Sequence, residues 1–224
     1  MRRSVSTQLK VAAMVAICLL GCAISRAQQA SSQVIARAKN AVVIVTTYDA
    51  RGKARTQGSG FFIDQHTIVT NAHVIRDAAS IRIKTFDGSV LPIQQVIATD
   101  SASDLTLLRS EATSAKTASL EIDYGGAAEG EPITVISNPK GSTWKITDGV
   151  AGAIWDFSDS GPRIAITASI LPGSSGGPVL NQQGRVIGIA VAHTASADDL
   201  NFAIPAAALK NLQASAKLAM LTSN

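Results

Sequence analysis

A serine framed by glycines, in the run Leu171-Pro-Gly-Ser-Ser-Gly-Gly-Pro-Val-Leu180, constrains this chain more than any other stretch. Glycine gives up backbone entropy on ordering and packs nothing, so the run suits neither helix nor strand. It reads as a tight turn that lets backbone approach a neighbour closely. In such a turn Gly173 and Ser175 aim their N–H groups at one point beside the Ser175 hydroxyl. Two donors converging beside a nucleophile form an oxyanion hole, where loss of one donor costs about 2.7–4 kcal/mol of transition-state stabilisation. The bland alternative is a Gly/Ser loop between two strands.

A serine hydroxyl needs a base, and the base needs an orienting partner. The chain has three histidines. His73 ends the apolar run Ile68-Val-Thr-Asn-Ala-His73, where a strand enters a polar turn. Asp104 opens the alternating strand Asp104-Leu-Thr-Leu-Leu108, and Asp100, in a turn-like context, competes with it. His66 lies in the turn Asp64-Gln-His66 and serves that turn. The order is therefore His, Asp, Ser. Gly173-x-Ser175-x-Gly177 also fits a nucleophile elbow, but that arrangement needs an acid and then a histidine after the serine. After Ser175 only His193 follows, with no acid between, so the elbow is excluded.

The N-terminus reads as an address. Arg2, Arg3 and Lys10 precede the apolar run Val11 to Leu20, and Ser25-Arg-Ala27 supplies small residues before a cut, the pattern of a secretory signal peptide over residues 1–27. Leu19-Leu-Gly-Cys22 is the rival: a lipobox-like site that would leave the protein anchored through a lipid on Cys22. Four of the twenty basic residues lie in this segment with no acid, so sixteen basic face sixteen acidic residues beyond it. The basic pI of 9.3 thus belongs to the address and does not point to nucleic acid. Both cysteines, Cys18 and Cys22, also lie there, so a chain cut at Ala27 has no internal disulfide. No cofactor or metal is implied.

Residues 28–224 suit a single domain. A short helix is expected over 32–40, then strands over 41–47, 58–63 and up to His73. A hairpin follows over 81–94 about Asp87-Gly88, with a further strand from Asp104. The loop 49–57 is polar and basic, and 112–119 links two halves. Strands are expected next over 132–137, 145–155 and 163–169, with Val179 as a short bridge, and over 185–192 and 200–204. Short strands separated by Gly, Pro and Asn indicate an all-β sandwich or barrel. A terminal helix is expected over 205–218, with Pro205 at its first position.

Seven stretches in this order resemble a trypsin-fold serine protease of the bacterial HtrA/Deg-like branch: Gly58-Ser-Gly-Phe-Phe-Ile63, Thr70-Asn-Ala-His-Val-Ile75, Asp104-Leu-Thr-Leu-Leu108, Ile136-Ser-Asn-Pro-Lys-Gly141, Asp148-Gly-Val150, Pro172 to Val179, and Asn201-Phe-Ala-Ile-Pro205. The resemblance implies two antiparallel six-stranded Greek-key barrels, over about 41–111 and 119–204, with an active site between them. It selects Asp104 over Asp100, making His73, Asp104 and Ser175 the catalytic set and Gly173 and Ser175 the oxyanion donors. Leu171 and Ser174 stand where such proteases commonly carry Asn or Ser, and Asn. HtrA proteases continue into PDZ domains where this chain ends, so PDZ recognition is expected to be absent.

The same resemblance puts the base of the primary pocket at Ser169 and its flank at Ala190, Val191 and Ala192. An uncharged, small pocket suits Val, Ala, Ile or Leu. His193 reads more simply as a solvent-facing strand end than as a substrate contact. The expected activity is endopeptidase cleavage of polypeptides outside the cytoplasm. The alternative is a protease-fold binding or chaperone module with little turnover. Intact-mass analysis of exported protein is expected to give a chain starting near Gln28. A mass starting at Cys22 with acyl chains would establish the anchored form instead.

Overall fold

The β-branched run Val42–Tyr48 forms strand β1, and five of its seven residues are fully or nearly buried as the pleat closes on a core. The computed structural model describes residues 32–110, 118–139, 144–192 and 201–222. Residues 32–39 are helical. From Arg37 onward the chain forms one compact unit. No described helix is long and apolar enough to cross a membrane.

β1 is followed by β2 (Ala54–Phe62), β3 (Thr67–Asn71), β4 (Ser80–Lys84), β5 (Val90–Asp100) and β6 (Leu105–Ser110). These close into a barrel in the order β1-β2-β3-β6-β5-β4, every pair antiparallel. A second barrel comprises β7 (Pro132–Ser137), β8 (Lys145–Phe157), β9 (Gly161–Ile166), β10 (Pro178–Leu180), β11 (Val186–Val191) and β12 (Asn201–Pro205). Its order, β7-β8-β9-β12-β11-β10, repeats the connectivity of the first. Closure removes every free sheet edge from each barrel wall. The inward faces fill two cores, one around Val43, Val45, Phe62, Ile68, Ile83 and Leu108, the other around Ile133, Val135, Ile164, Ile166, Val179 and Ile187. The helix Ala207–Thr222 packs on β5 and β6, burying Leu209 and Leu212.

Several local expectations change. β2 begins at Ala54, inside the stretch expected to be loop, because Thr56 and Thr47 exchange backbone and hydroxyl hydrogen bonds across the pair at 3.1 and 3.2 Å. The Asp87-Gly88 turn is wider than a two-residue hairpin: Thr85 N–H donates to Ser89 O at 2.9 Å, and the strands stop at Lys84 and Val90. Ser169 lies beyond β9, which ends at Ile166. Pro205 is the last residue of β12, opposite Gly188, and the helix starts two residues later. The expected link 112–119 falls mostly on 111–117, outside the described residues.

The barrels meet where Gly176 crosses β2 and β3. Gly176 has φ of 88°, and a Cβ there would drive into Ser59 O and Thr70 Oγ1. Gly176→Ala is therefore expected to destabilise the protein by at least about 1–3 kcal/mol. Urea denaturation monitored by tryptophan fluorescence checks this, and an unchanged midpoint would contradict the close approach.

Candidate active site

His73 is not on a strand: it sits in the single helical turn Ala72–Ile75 that follows β3. The leading N–H groups of a helical turn have no partner within it, and Asp104 supplies them. Its carbonyl accepts from Ala72 N–H at 3.1 Å, and its Oδ1 from His73 N–H at 2.8 Å. Its Oδ2 lies 2.7 Å from His73 Nδ1. Asp104 itself occupies the turn before β6 with φ of 61°, a left-handed conformation that aspartate tolerates better than most residues. Asn71 Nδ2 holds that turn by donating to Asp104 O at 2.9 Å. An ionised carboxylate only accepts, so Nδ1 carries the proton and Nε2 presents the lone pair.

Asp100 is committed elsewhere. Ser103 Oγ donates to its Oδ2 at 2.6 Å, and the N–H groups of Ala102 and Ser103 donate to Oδ1 at 3.0 and 3.3 Å. The Ser103 hydroxyl above all holds this carboxyl below the usual range. Asp100 thus shapes the turn that presents Asp104.

The serine loop brings its backbone to the same place. Leu171-Pro-Gly-Ser174 closes with Ser174 N–H on Leu171 O at 2.8 Å, and Gly173 has φ of 95°. Proline at the second position and a positive-φ glycine at the third define a type II turn. The N–H groups of Ser174, Gly176 and Gly177 are taken by Leu171 O, Ala190 O and Ser174 O. Those of Gly173 and Ser175 have no acceptor among the described residues. These are the two N–H groups that the sequence reading expects to act as donors. The Ser174 hydroxyl, where Asn is commoner, accepts from Leu171 N–H at 3.3 Å and bonds Ser137 Oγ at 3.0 Å. The loop is braced from within and from β7.

The helical turn that carries His73 and the loop that carries Ser175 both close on one glycine. A Cβ on Gly58 would meet Val74, the neighbour of His73, at 2.7 Å and Ser175 O at 3.1 Å. Among the described residues no hydrogen bond yet joins the two side chains. Ser175 Oγ instead accepts from Ala192 N–H at 3.1 Å, which leaves its own hydrogen free to donate. Such contacts often tighten only with substrate bound. Ser169 is exposed, its carbonyl accepting from Thr147 Oγ1 at 3.1 Å. Ala190 is sealed in the second core, Val191 is buried, and Ala192 is half-buried at the end of β11. His193 lies outside the described residues. His66 Nδ1 lies 3.0 Å from Ser110 O, away from this cluster. No group of three or more His, Cys, Asp or Glu side chains is gathered for a metal among the described residues.

Three contributors were not legible in the sequence. Ser59, fully buried on β2, donates its hydroxyl to Gly173 O at 2.8 Å and accepts from Asn138 N–H at 2.8 Å, while its own N–H donates to Ser175 O at 2.8 Å. Its signals were two flanking glycines and a place in the stretch Gly58 to Ile63, neither of which gives it this role. Asn138 extends this seam, its side-chain amide buried without a partner among the described residues. Arg163, on β9 and nearly inaccessible, reaches across to Ser103 O at 3.5 Å. Burial lowers its pKa, opposed by the nearby Asp104 carboxylate. Ser59→Ala strands the half-buried Gly173 carbonyl and the buried Asn138 N–H, and a buried group left unsatisfied costs about 1–3 kcal/mol. A loss of that size in urea denaturation is expected, and a variant as stable as the parent would show that the hydroxyl bonds are replaced.

Residues 58–189 match the trypsin-like peptidase domain family. The anti-sigma-I factor RsgI9 of Acetivibrio thermocellus is 33% identical over 170 residues, covering 74% of this chain and 23% of that protein. A serine protease HtrA-like protein of Staphylococcus aureus is 34% identical over 156 residues, 62% of this chain and 20% of that protein. The serine endoprotease of Yersinia pestis superposes with a TM-score of 0.71 at 26% identity, over 83% of this chain and 66% of that one. The chain therefore spans about a fifth of the length of these two curated relatives. With the match running from the Gly58 seam through the serine loop into β11, the chain belongs to the trypsin-like peptidase domain family.

Proposed function

We propose that this protein is a serine endopeptidase acting on exported polypeptides, with Ser175 as nucleophile, His73 as base and Asp104 as its orienting partner. The observation that carries the reading is the double grip of Asp104 on His73, through ring and backbone at 2.7 and 2.8 Å, beside a loop whose Gly173 and Ser175 N–H groups stay free among the described residues.

Ser175 Oγ attacks the carbonyl carbon of the scissile bond while His73 Nε2 takes the hydroxyl proton. The carbonyl oxygen becomes an oxyanion held by Gly173 and Ser175 N–H. The C–N bond then breaks, His73 returns the proton to the leaving amine, and an acyl ester remains on Ser175. Water attacks that ester, giving its proton to His73, and the carboxylic product leaves as Ser175 regains its hydrogen. Asp104 stays ionised and stabilises the imidazolium formed in each half.

The primary pocket proposed from Ser169, Ala190, Val191 and Ala192 takes Val, Ala, Ile or Leu, with shallow discrimination, since one methylene is worth only about 1–3 kcal/mol. Basic side chains find no counter-charge at Ser169. The export reading rests on residues 1–27, and relatives of HtrA type are consistent with it.

Labelling by a fluorophosphonate probe is expected for the purified protein and lost in Ser175→Ala with the fold retained. Asp104→Asn, which disturbs the tautomer, is expected to lower kcat by about four orders of magnitude. Digestion of an unfolded protein should yield ends after small aliphatic residues. Labelling that survives Ser175→Ala refutes the nucleophile, and cleavage after Lys, Arg or Glu refutes the pocket.

A further inference from the structure

Between Tyr48 and Lys84 the chain carries Arg51, Lys53, Arg55, Arg76, Arg82 and Lys84 against only Asp49, Asp64 and Asp77. All of these basic residues are exposed, and none is in an ion pair among the described residues. The acids are tied to turns. Asp49 Oδ1 accepts from the N–H groups of Arg51 and Lys53, both at 2.9 Å. Asp64 does the same for His66 and Thr67, past the far end of β2. Asp49 and Asp77 alone stand among the cations.

The first barrel gathers these cations on one face. The turn 49–53 carries Arg51 and Lys53 at the tip of the β1–β2 hairpin, and Arg55 follows on β2. Arg82 pairs with Thr46 and lies over the Tyr48 ring at 5.5 Å, while Tyr48 pairs with Ala54 on its other side. Arg55 Nη1 donates to Asp77 O at 3.4 Å, which draws the turn at Arg76 against the same strand. Like charges held this close repel one another, and an anionic partner relieves that repulsion.

β2 joins this face to the serine. Ser59 N–H points at Ser175 O, and strand alternation puts the backbone groups of Gln57 and Arg55 on that same edge. Thr56, between them, turns its N–H and carbonyl to Thr47 on β1. β2 pairs with β3 only at Phe61 and Phe62, so over residues 54–57 it runs past the closed wall with no strand on this edge. Ser59 and Arg55 are four strand residues apart, about 13 Å, and Lys53 and Arg51 lie further out. In the mechanism above the acyl half stays on Ser175, and the leaving half starts at His73, whose helical turn runs on into Arg76. The leaving half therefore departs along the open edge of β2 toward the cations.

We propose that Arg51, Lys53, Arg76 and Arg82 bind acidic side chains of the substrate on its leaving side, roughly the third to sixth residues after the scissile bond. This rests on the protease reading of the same cleft and adds a charge preference to it. The substrate class is a polypeptide with a small aliphatic residue at the cut and a run of Asp or Glu shortly after it.

The test uses the purified protein and peptides that share one acyl half ending in Val and carry Glu, Gln or Lys runs over those leaving-side positions. At low ionic strength the Glu peptide is expected to be cleaved with kcat/KM about tenfold above the Gln peptide, the combined effect of several exposed charge pairs. Roughly 0.5 M salt should erase the difference, because exposed pairs are screened. Arg51→Glu combined with Lys53→Glu should reverse the order to favour Lys and leave the Gln peptide near its parent rate. The milder pair Arg51→Gln and Lys53→Gln should remove the Glu advantage alone. Equal cleavage of Glu and Gln peptides by the parent, or variants that slow all peptides alike, overturns the proposal.

Binding is read separately in Ser175→Ala, through the fluorescence anisotropy of a labelled peptide carrying the Glu leaving half. Should no peptide be turned over, binding that selects Glu over Gln and is lost in the charge-reversed variant still supports the acidic site while the protease reading falls. Turnover without charge selectivity sinks the site alone. Sedimentation with phosphatidylglycerol vesicles, abolished by charge reversal while Glu and Gln peptides are cleaved equally, would assign the face to an anionic surface and overturn the proposal as well.

Discussion

Everything in the cleft depends on two barrels meeting backbone to backbone at Ser59. A buried hydroxyl there donates to Gly173 O and accepts from Asn138 N–H, and the adjacent N–H donates to Ser175 O. Thr70 Oγ1 closes the seam by donating to Ser59 O at 2.7 Å. Buried peptide groups need partners, and here each barrel supplies what the other lacks. Gly58 and Gly176 make the approach possible, since a Cβ at either would strike the opposite side. The serine loop thereby takes its position from a strand of the first barrel.

The same seam separates fixing from reacting. Pro172 and Gly173 impose the type II turn, and Ser174 braces it twice through Leu171. With those N–H groups spent inside the loop, the neighbouring two have no acceptor among the described residues. On the other wall, Asp104 satisfies the start of a helical turn and the histidine ring with one carboxylate. Under the proposed mechanism, a loop and an imidazole held in this way leave little reorganisation for the moment of reaction, which is where preorganised dipoles gain their effect. Arg163 ties the second barrel to the turn carrying Asp104, so relative displacement of the barrels acts on both halves of the site.

The aromatic cluster of Trp155, Phe157 and Phe202 follows a different logic. Apolar side chains inside the barrels are consumed by closure, and the ribbon of β8 and β9 extends beyond it, with Ala153 to Phe157 exposed. A register shift between Ala151 and Ile154 turns that ribbon, as a bulge re-aims side chains near a barrel rim. Trp155 and Phe157 then lean on Phe202 instead of entering the core.

The sequence by itself determined the all-β class and most strand positions, because alternation, glycine and turn residues act over a few neighbours. Local pattern also located the serine loop, whose Pro-Gly pair carries its own turn geometry. It placed His73 on a strand and Asp104 at a strand head, whereas both sit in turns that bond each other across 31 residues. The resemblance already selects Asp104 over Asp100, and the tertiary structure supplies the physical reason: the turn spends one carboxylate on Ser103 and leaves the other to His73. Ser59 and Gly173 are 114 residues apart, and Arg163 and Ser103 are 60 apart. Neither contact leaves a local signature, since a hydrogen bond between distant residues is decided by how two closed barrels dock and not by the preference of either segment.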